Sequence, residues 1–206
     1  MPTFLRRPML AVLAIATVGW CSPLFAQWRI GAEVGAARFW GGSLDAGTQT
    51  SIRPYRPTTF GVGVERQSGR YALGLQIQYA DAGLGLEGPD ATVSAQDAFT
   101  IVSVSPEVAV RVATLGPGNQ LRLHAGLLIE HWDLVDLESR TRVGVQGSVS
   151  LDLPLGGAFE GQVLAGGAVT PSPFEEGELD LGSGAPAYEL QTLWRRRFAL
   201  GLRYRL

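Results

Sequence analysis

The sequence predicts an all-β chain, an eight-stranded antiparallel up-and-down transmembrane β-barrel. Three observations carry this. Apolar and polar residues alternate with period two through eight separate stretches. The connections between those stretches alternate long and short, which places the long loops at one end and the short turns at the other. No stretch after residue 26 is apolar over about 18 residues, so no helix is available to span a bilayer.

The amino terminus is set aside first. Arg6 and Arg7 precede a short apolar run from Met9 to Trp20, and Ser22-Pro23-Leu24-Phe25-Ala26 follows. This reads as a secretory signal peptide over residues 1–26, cut after Ala26, with the barrel domain at 27–206. Cys21 is the single cysteine, and bulky Trp20 before it argues against a lipoprotein signal. An exported chain without that cysteine has no disulfide, and closure of a hydrogen-bonded barrel is an alternative source of stability. Every basic side chain among the 17 Lys+Arg is an arginine. Without Arg6 and Arg7 the balance is 15 arginines against 19 acids, a formal net charge of about −4. Nothing in that balance suggests nucleic-acid binding.

Trp28, Ile30, Ala32, Val34 and Ala36 alternate with Arg29, Gly31, Glu33 and Gly35 in the first stretch. Residues 41–57 are polar and rich in turn formers, and read as a long loop. The second strand, 58–66, puts Phe60, Val62 and Val64 on one face; the third alternates Tyr71, Leu73, Leu75, Ile77 and Tyr79 with Gly74, Gln76 and Gln78. Residues 81–96 read as a second long loop. The fourth strand, 98–113, carries Pro106, where a bulge or a lapse in pairing is expected. Leu121, Leu123, Ala125, Leu127 and Ile129 mark the fifth strand, and 133–140 connects it to the sixth, marked by Val143, Val145, Val149, Leu151 and Leu153. Phe159, Val163, Ala165 and Val169 mark the seventh, and 171–187 is a further loop. The eighth, 188–206, places Tyr188, Leu190, Trp194, Phe198, Leu200, Leu202, Tyr204 and Leu206 on even positions, and reads as one continuous strand.

In a soluble barrel the apolar face points inward, around a ligand; in a membrane barrel it points to lipid. Glycine-rich polar faces suit a crowded lumen. Trp28, Tyr71, Phe159 and Tyr204 at one end, with Trp40, Tyr79 and Trp194 at the other, match two aromatic girdles. The lipid-facing reading is preferred.

Gly201-x-x-Tyr204-x-Leu206 resembles the carboxy-terminal signal of outer-membrane barrels that is read by the barrel-assembly machinery; Leu206 stands where that family often has Phe. Over residues 27–206 the layout resembles, in pattern, the small eight-stranded outer-membrane family of the OmpA barrel and OmpX. The resemblance implies the cell outer membrane, a monomer, and contact with outer-membrane lipid and lipopolysaccharide.

The inward set is Arg29, Glu33, Glu65, Glu107, Arg111, Arg122, His124, Glu130, Asp152, Glu160, Arg195, Arg197, Arg203 and Arg205. Buried charges need partners, so an ion-pair network that fills the lumen is expected, with a gated narrow pore as the alternative. His131, near Glu130 and Asp133, invites comparison with barrel enzymes that deacylate lipid A. Their serine stands two positions after the histidine; here that position is Asp133, and Gly126 after His124. No catalytic residue, metal or cofactor is therefore expected. Arg196 faces outward near the long-loop interface, where snorkelling is preferred to a lipopolysaccharide phosphate contact. The acidic run Glu175 to Asp180 lacks calcium-loop spacing, and Phe39, Trp40 and Tyr55 make the first loop a candidate contact surface for a partner the sequence does not name. The expected role is structural or interactive, in envelope integrity or surface contact. A narrow pore for small solutes and a secreted soluble ligand-binding barrel are the alternatives.

Overall fold

The computed structural model describes residues 27–41, 43–45, 51–87, 92–134, 138–175 and 188–206. Residues 1–26, read in the sequence as a signal peptide, lie outside them. Among the described residues ten strands form one antiparallel sheet: β1 (Gln27–Trp40), β2 (Ser43–Asp45), β3 (Ser51–Ser68), β4 (Tyr71–Glu87), β5 (Thr92–Thr114), β6 (Gln120–Leu134), β7 (Arg140–Gly156), β8 (Phe159–Thr170), β9 (Tyr188–Leu190) and β10 (Leu193–Arg205). All except β2 and β9 follow one another round a barrel wall. β1 pairs with β3 on one side and β10 on the other, which closes an eight-stranded barrel and leaves its wall no free edge. Three short turns reverse the chain at one end. At the first of them Gly69 holds φ 63°, a left-handed conformation that a side chain resists.

Alternation decides which face is which. Phe60, Val143 and Phe198 point outward and are 56, 59 and 54% exposed. A continuous apolar belt of this kind is a lipid-facing surface rather than a water-facing one. Charged residues of the opposite parity lie inside. The soluble alternative, with its apolar face around a ligand, is overturned by this orientation. Trp28, Tyr71, Phe159 and Tyr204 ring the short-turn end, and Tyr79 and Trp194 the other, all exposed.

Several expected boundaries change. The stretch 81–96 is not simply a loop: β4 continues to Glu87 and β5 begins at Thr92, so the hairpin extends beyond the wall, with a bulge near Gly83. Gly and Asp made this stretch look irregular, but paired backbone needs no apolar alternation where neither face is buried in lipid. The stretch 41–57 likewise contains β2 and the start of β3, with a bulge where Arg56 adopts φ 36°. Strand β6 runs to Leu134, past the expected boundary at 133. The last strand is interrupted at Gln191 and Thr192, and β9 leaves β10 to pair with β2. At Pro106 the ladder to β4 is intact, opposite Leu75, while the ladder to β6 lapses over Ser105 and Pro106. The missing N–H falls on the lapsed side.

Candidate functional site: a charged lumen beneath an aromatic plug

The lumen is filled in two layers. Towards the short-turn end lies a network of charges. Arg122, 1% exposed, donates to Glu65 at 2.8 Å and to Asp152 at 3.4 Å. Arg29 lies 3.2 Å from Glu65 and 3.3 Å from Glu160, and Arg205 reaches the other Glu160 oxygen at 3.2 Å. Arg203 sits 3.6 Å from both Glu65 and Asp152. Higher up, Arg197 donates to Glu33 at 2.8 Å, and Gln78 to the same oxygen at 3.2 Å. Arg195 donates to Glu130 at 2.6 Å, with the Ser103 hydroxyl on that carboxylate at 3.4 Å. Glu65 is the hub, facing three guanidinium groups. Six arginines (29, 122, 195, 197, 203, 205) face six acids (33, 65, 107, 130, 152, 160), so this paired set balances formally, and half-buried Arg111 lies outside it. Neutrality matters because an unpaired charge in so narrow a space costs several kcal/mol, on the order of 3–5 when a partner is removed.

Glycine makes room for these side chains. Glu33 lies across the ladder from Gly61 on one side and Gly201 on the other; Glu107 lies between Gly74 and Gly126 in the same way. A Cβ on Gly61 meets Glu33 Cγ at 2.8 Å, and one on Gly126 meets Glu107 Cα at 3.0 Å. Gly31 opposite Arg203 repeats the arrangement, its added Cβ falling 2.9 Å from Arg203 Cγ. The inward glycines are the space in which long charged side chains turn.

Towards the long-loop end the filling becomes apolar. Phe39, Phe99, Trp132 and Phe174 meet edge to face, with ring centroids 6.1–6.2 Å apart, and Leu193, Ile101 and Leu134 close the cluster. Trp132 is fully buried. Phe39, read in the sequence as part of a contact loop, is 2% exposed and points into the barrel. Arg195 joins the layers, its guanidinium 6.0 Å from the Phe39 ring centre while it holds Glu130. The plug was not foreseen. Phe39, Phe99 and Trp132 share the parity of the inward charges, and that is the signal that marks them; Phe174 follows β8 in a stretch with no alternation to read.

The remaining expected residues are placed as follows. Arg111 is half-buried near the short-turn end of β5, with no ion pair among the described residues. Gly201 packs inside beside Glu33, Tyr204 faces outward against Phe159 at 5.1 Å, and the Leu206 N–H donates to the Trp28 carbonyl at 2.9 Å. Glu175 lies 3.4 Å from Arg142, and the rest of its acidic run lies outside the described residues. His131 is exposed and 3.3 Å from the Thr141 hydroxyl, while its neighbour Glu130 points away into the lumen.

One alignment was missed. His124 lies 2.9 Å from Ser150 Oγ through Nε2 and 3.3 Å from Glu107 through Nδ1. A serine, a histidine and a carboxylate are thus in line, although the serine is 26 residues from the histidine rather than two. Ser150 is 1% and His124 5% exposed, which leaves no approach for an ester. Glu65, Glu107 and His124 also bring three donor atoms within 4.8 Å of one another. Glu65 already accepts from Arg29 and Arg122, so guanidinium groups satisfy the position a cation would take.

No family model matches the chain, and no curated protein sequence matches it. Solved structures do. The chain is similar to neisserial surface protein A (NspA), at 11% identity and a TM-score of 0.57, over 89% of this chain and 100% of that one. It is similar to the outer membrane protein OprG of Pseudomonas aeruginosa, at 10% identity and a TM-score of 0.57, over 88% of this chain and 96% of that one. The fold is that of the small eight-stranded outer-membrane β-barrels.

Proposed function

We propose that this chain is an outer-membrane barrel that does not conduct, and that it acts through its surface, in envelope integrity or contact at the long-loop end. One observation carries the reading: the lumen is closed twice over, by paired charges in one half and by the Phe39–Phe99–Trp132–Phe174 plug in the other. Either layer alone obstructs a solute path. Residues 1–26 serve export, the Gly201–Tyr204–Leu206 strand end is offered to the barrel-assembly machinery, and the protein works as a monomer in lipid. The test is a planar bilayer carrying purified, folded protein. The expected record is flat, without stable steps; large, steady channels overturn the proposal in favour of a pore.

A further inference from the structure

The outer face of the barrel carries a pair of adjacent cations that the lumen network does not use. Across four neighbouring strands the register lines up outward residues in rows. Gly147, Gly167, Arg196 and Arg38 are successive cross-strand partners on β7, β8, β10 and β1. The row above, towards the long loops, is Val145, Val169, Trp194 and Trp40; the row below is Val149, Ala165, Phe198 and Ala36. The two arginines thus stand inside the aromatic girdle, with apolar rows on either side. Ten residues of tilted strand separate Arg38 from Trp28, about 25 Å along the barrel axis, which is the height of a lipid-facing band.

Both guanidinium groups lie over the same ring, Arg196 at 4.9 Å and Arg38 at 5.6 Å from the centre of Trp40. Neither has a carboxylate partner among the described residues. Two like charges set side by side at the edge of hydrocarbon repel each other and call for an anion. Snorkelling with ring stacking accounts for single arginines at the other end, where Arg66 lies over Trp28 and Arg70 over Tyr71. It does not account for a pair on one ring. Beside the pair, Gly147 and Gly167 leave a lipid-facing gap bounded by Val145, Val169 and Trp194.

We propose that Arg38 and Arg196 bind a phosphate of the lipid A part of lipopolysaccharide, clamped over Trp40, with an acyl chain in the gap over Gly147 and Gly167. Guanidinium matches phosphate bidentately, and two of them neutralise its charge. The proposal rests on the outer-membrane reading above and adds to it the ligand and the residues.

The test is native mass spectrometry of the folded mature chain in detergent, with bisphosphorylated lipid A, dephosphorylated lipid A and inorganic phosphate as probes. Bisphosphorylated lipid A is expected to be retained, and retention to fall at least about tenfold in the Arg38→Gln/Arg196→Gln double variant. Gly147→Leu, which fills the gap and keeps both cations, is expected to lower it too; Arg66→Gln is expected to leave it unchanged. Equal retention by the double variant, or equal retention of dephosphorylated lipid A, overturns the site. Displacement of the lipid by millimolar inorganic phosphate overturns the lipid assignment in favour of a free-anion site. Heat-dependent gel mobility is measured on every variant. Its absence in the unsubstituted protein counts against the barrel reading itself, so the two failures remain distinct.

Discussion

The Glu130–Arg195 pair is the sharpest test of a dry, closed lumen. Its charges lie 2.6 Å apart with side chains 1 and 7% exposed, and Arg195 also abuts Phe39 of the plug. If water is excluded there, Arg195→Met leaves Glu130, among the described residues, with the Ser103 hydroxyl at 3.4 Å, and is expected to cost about 3–5 kcal/mol. Glu130→Leu strands Arg195 in the same way, at a similar cost. The double variant removes both charges and supplies apolar volume next to Phe39, so it is expected to lie within about 1–2 kcal/mol of the unsubstituted protein. The coupling energy then comes to several kcal/mol. The assay is reversible urea unfolding of the barrel in lipid vesicles, followed by tryptophan fluorescence and by gel mobility. A hydrated channel screens such a pair, and exposed ion pairs couple by only about 0–1 kcal/mol. Coupling below about 0.5 kcal/mol would refute the closed-lumen argument, whatever the single-variant stabilities show.

Other outcomes follow from the same geometry. Trp132→Ala is expected to destabilise by about 3–5 kcal/mol and to leave the bilayer record flat, because the charged layer still closes the lumen; stable ion leakage would show that the plug alone closes it. Gly144→Ala forces a Cβ onto the Val169 carbonyl and the Thr170 methyl, and is expected to cost about 1–3 kcal/mol in the same urea experiment. Gly147→Ala, whose nearest neighbour would be the His124 carbonyl at 3.7 Å, is expected to be tolerated; equal costs at the two positions would contradict the inward and outward assignments. Arg122→Met is expected to be among the most damaging single changes, by about 3–5 kcal/mol, because it takes the nearest guanidinium from Glu65 and one of two from Asp152. Midpoints within a few tenths of a molar of the unsubstituted protein would show that the lumen rearranges around the loss.

How much of this was legible beforehand depends on what each feature requires. The eight wall strands and their outward faces need only parity, and parity is written in runs such as Leu121–Ile129 and Phe198–Leu206. Parity also separates the inward charges from the lipid face. It does not say who pairs with whom. That Glu65 meets Arg29, Arg122 and Arg203, or that Glu33 and Glu107 each lie between two glycines, is a consequence of register, and register is set by all the turns and bulges together. The hairpin arms beyond the wall were misread for a different reason. Composition there reports turn formers, while the backbone pairing continues as far as Glu87 and Thr92. Likewise nothing in the alternation of residues 188–206 announces that the chain leaves the wall at Gln191 and Thr192. The aromatic plug was hidden by expectation. Phe39 stands at the edge of the first loop, where an aromatic reads as a surface contact, and Trp132 stands between His131 and Asp133, where no apolar run marks it.

The Ser150–His124–Glu107 alignment shows how neighbouring strands are held in register rather than how an ester is cut. Hydrolysis needs donors aimed at a developing oxyanion. Here the backbone around the serine is spent on pairing, since Ser150 is laddered to Arg122 on β6 and to Leu164 on β8. Its hydroxyl is shared between His124 and Asp152, 2.9 and 3.3 Å away, and Asp152 accepts in turn from Gln162 at 3.1 Å. Read across the wall, Glu107 on β5, His124 on β6, Ser150 and Asp152 on β7 and Gln162 on β8 form one transverse chain of side-chain bonds. A slip of one residue in any of those strands turns its member out to lipid and strands the others inside. The chain also bears on the lapse at Ser105 and Pro106, where the β5–β6 ladder is weakest. Glu107 and His124 reconnect those two strands immediately beneath the lapse, so the lumen chemistry restores the register that Pro106 loosens.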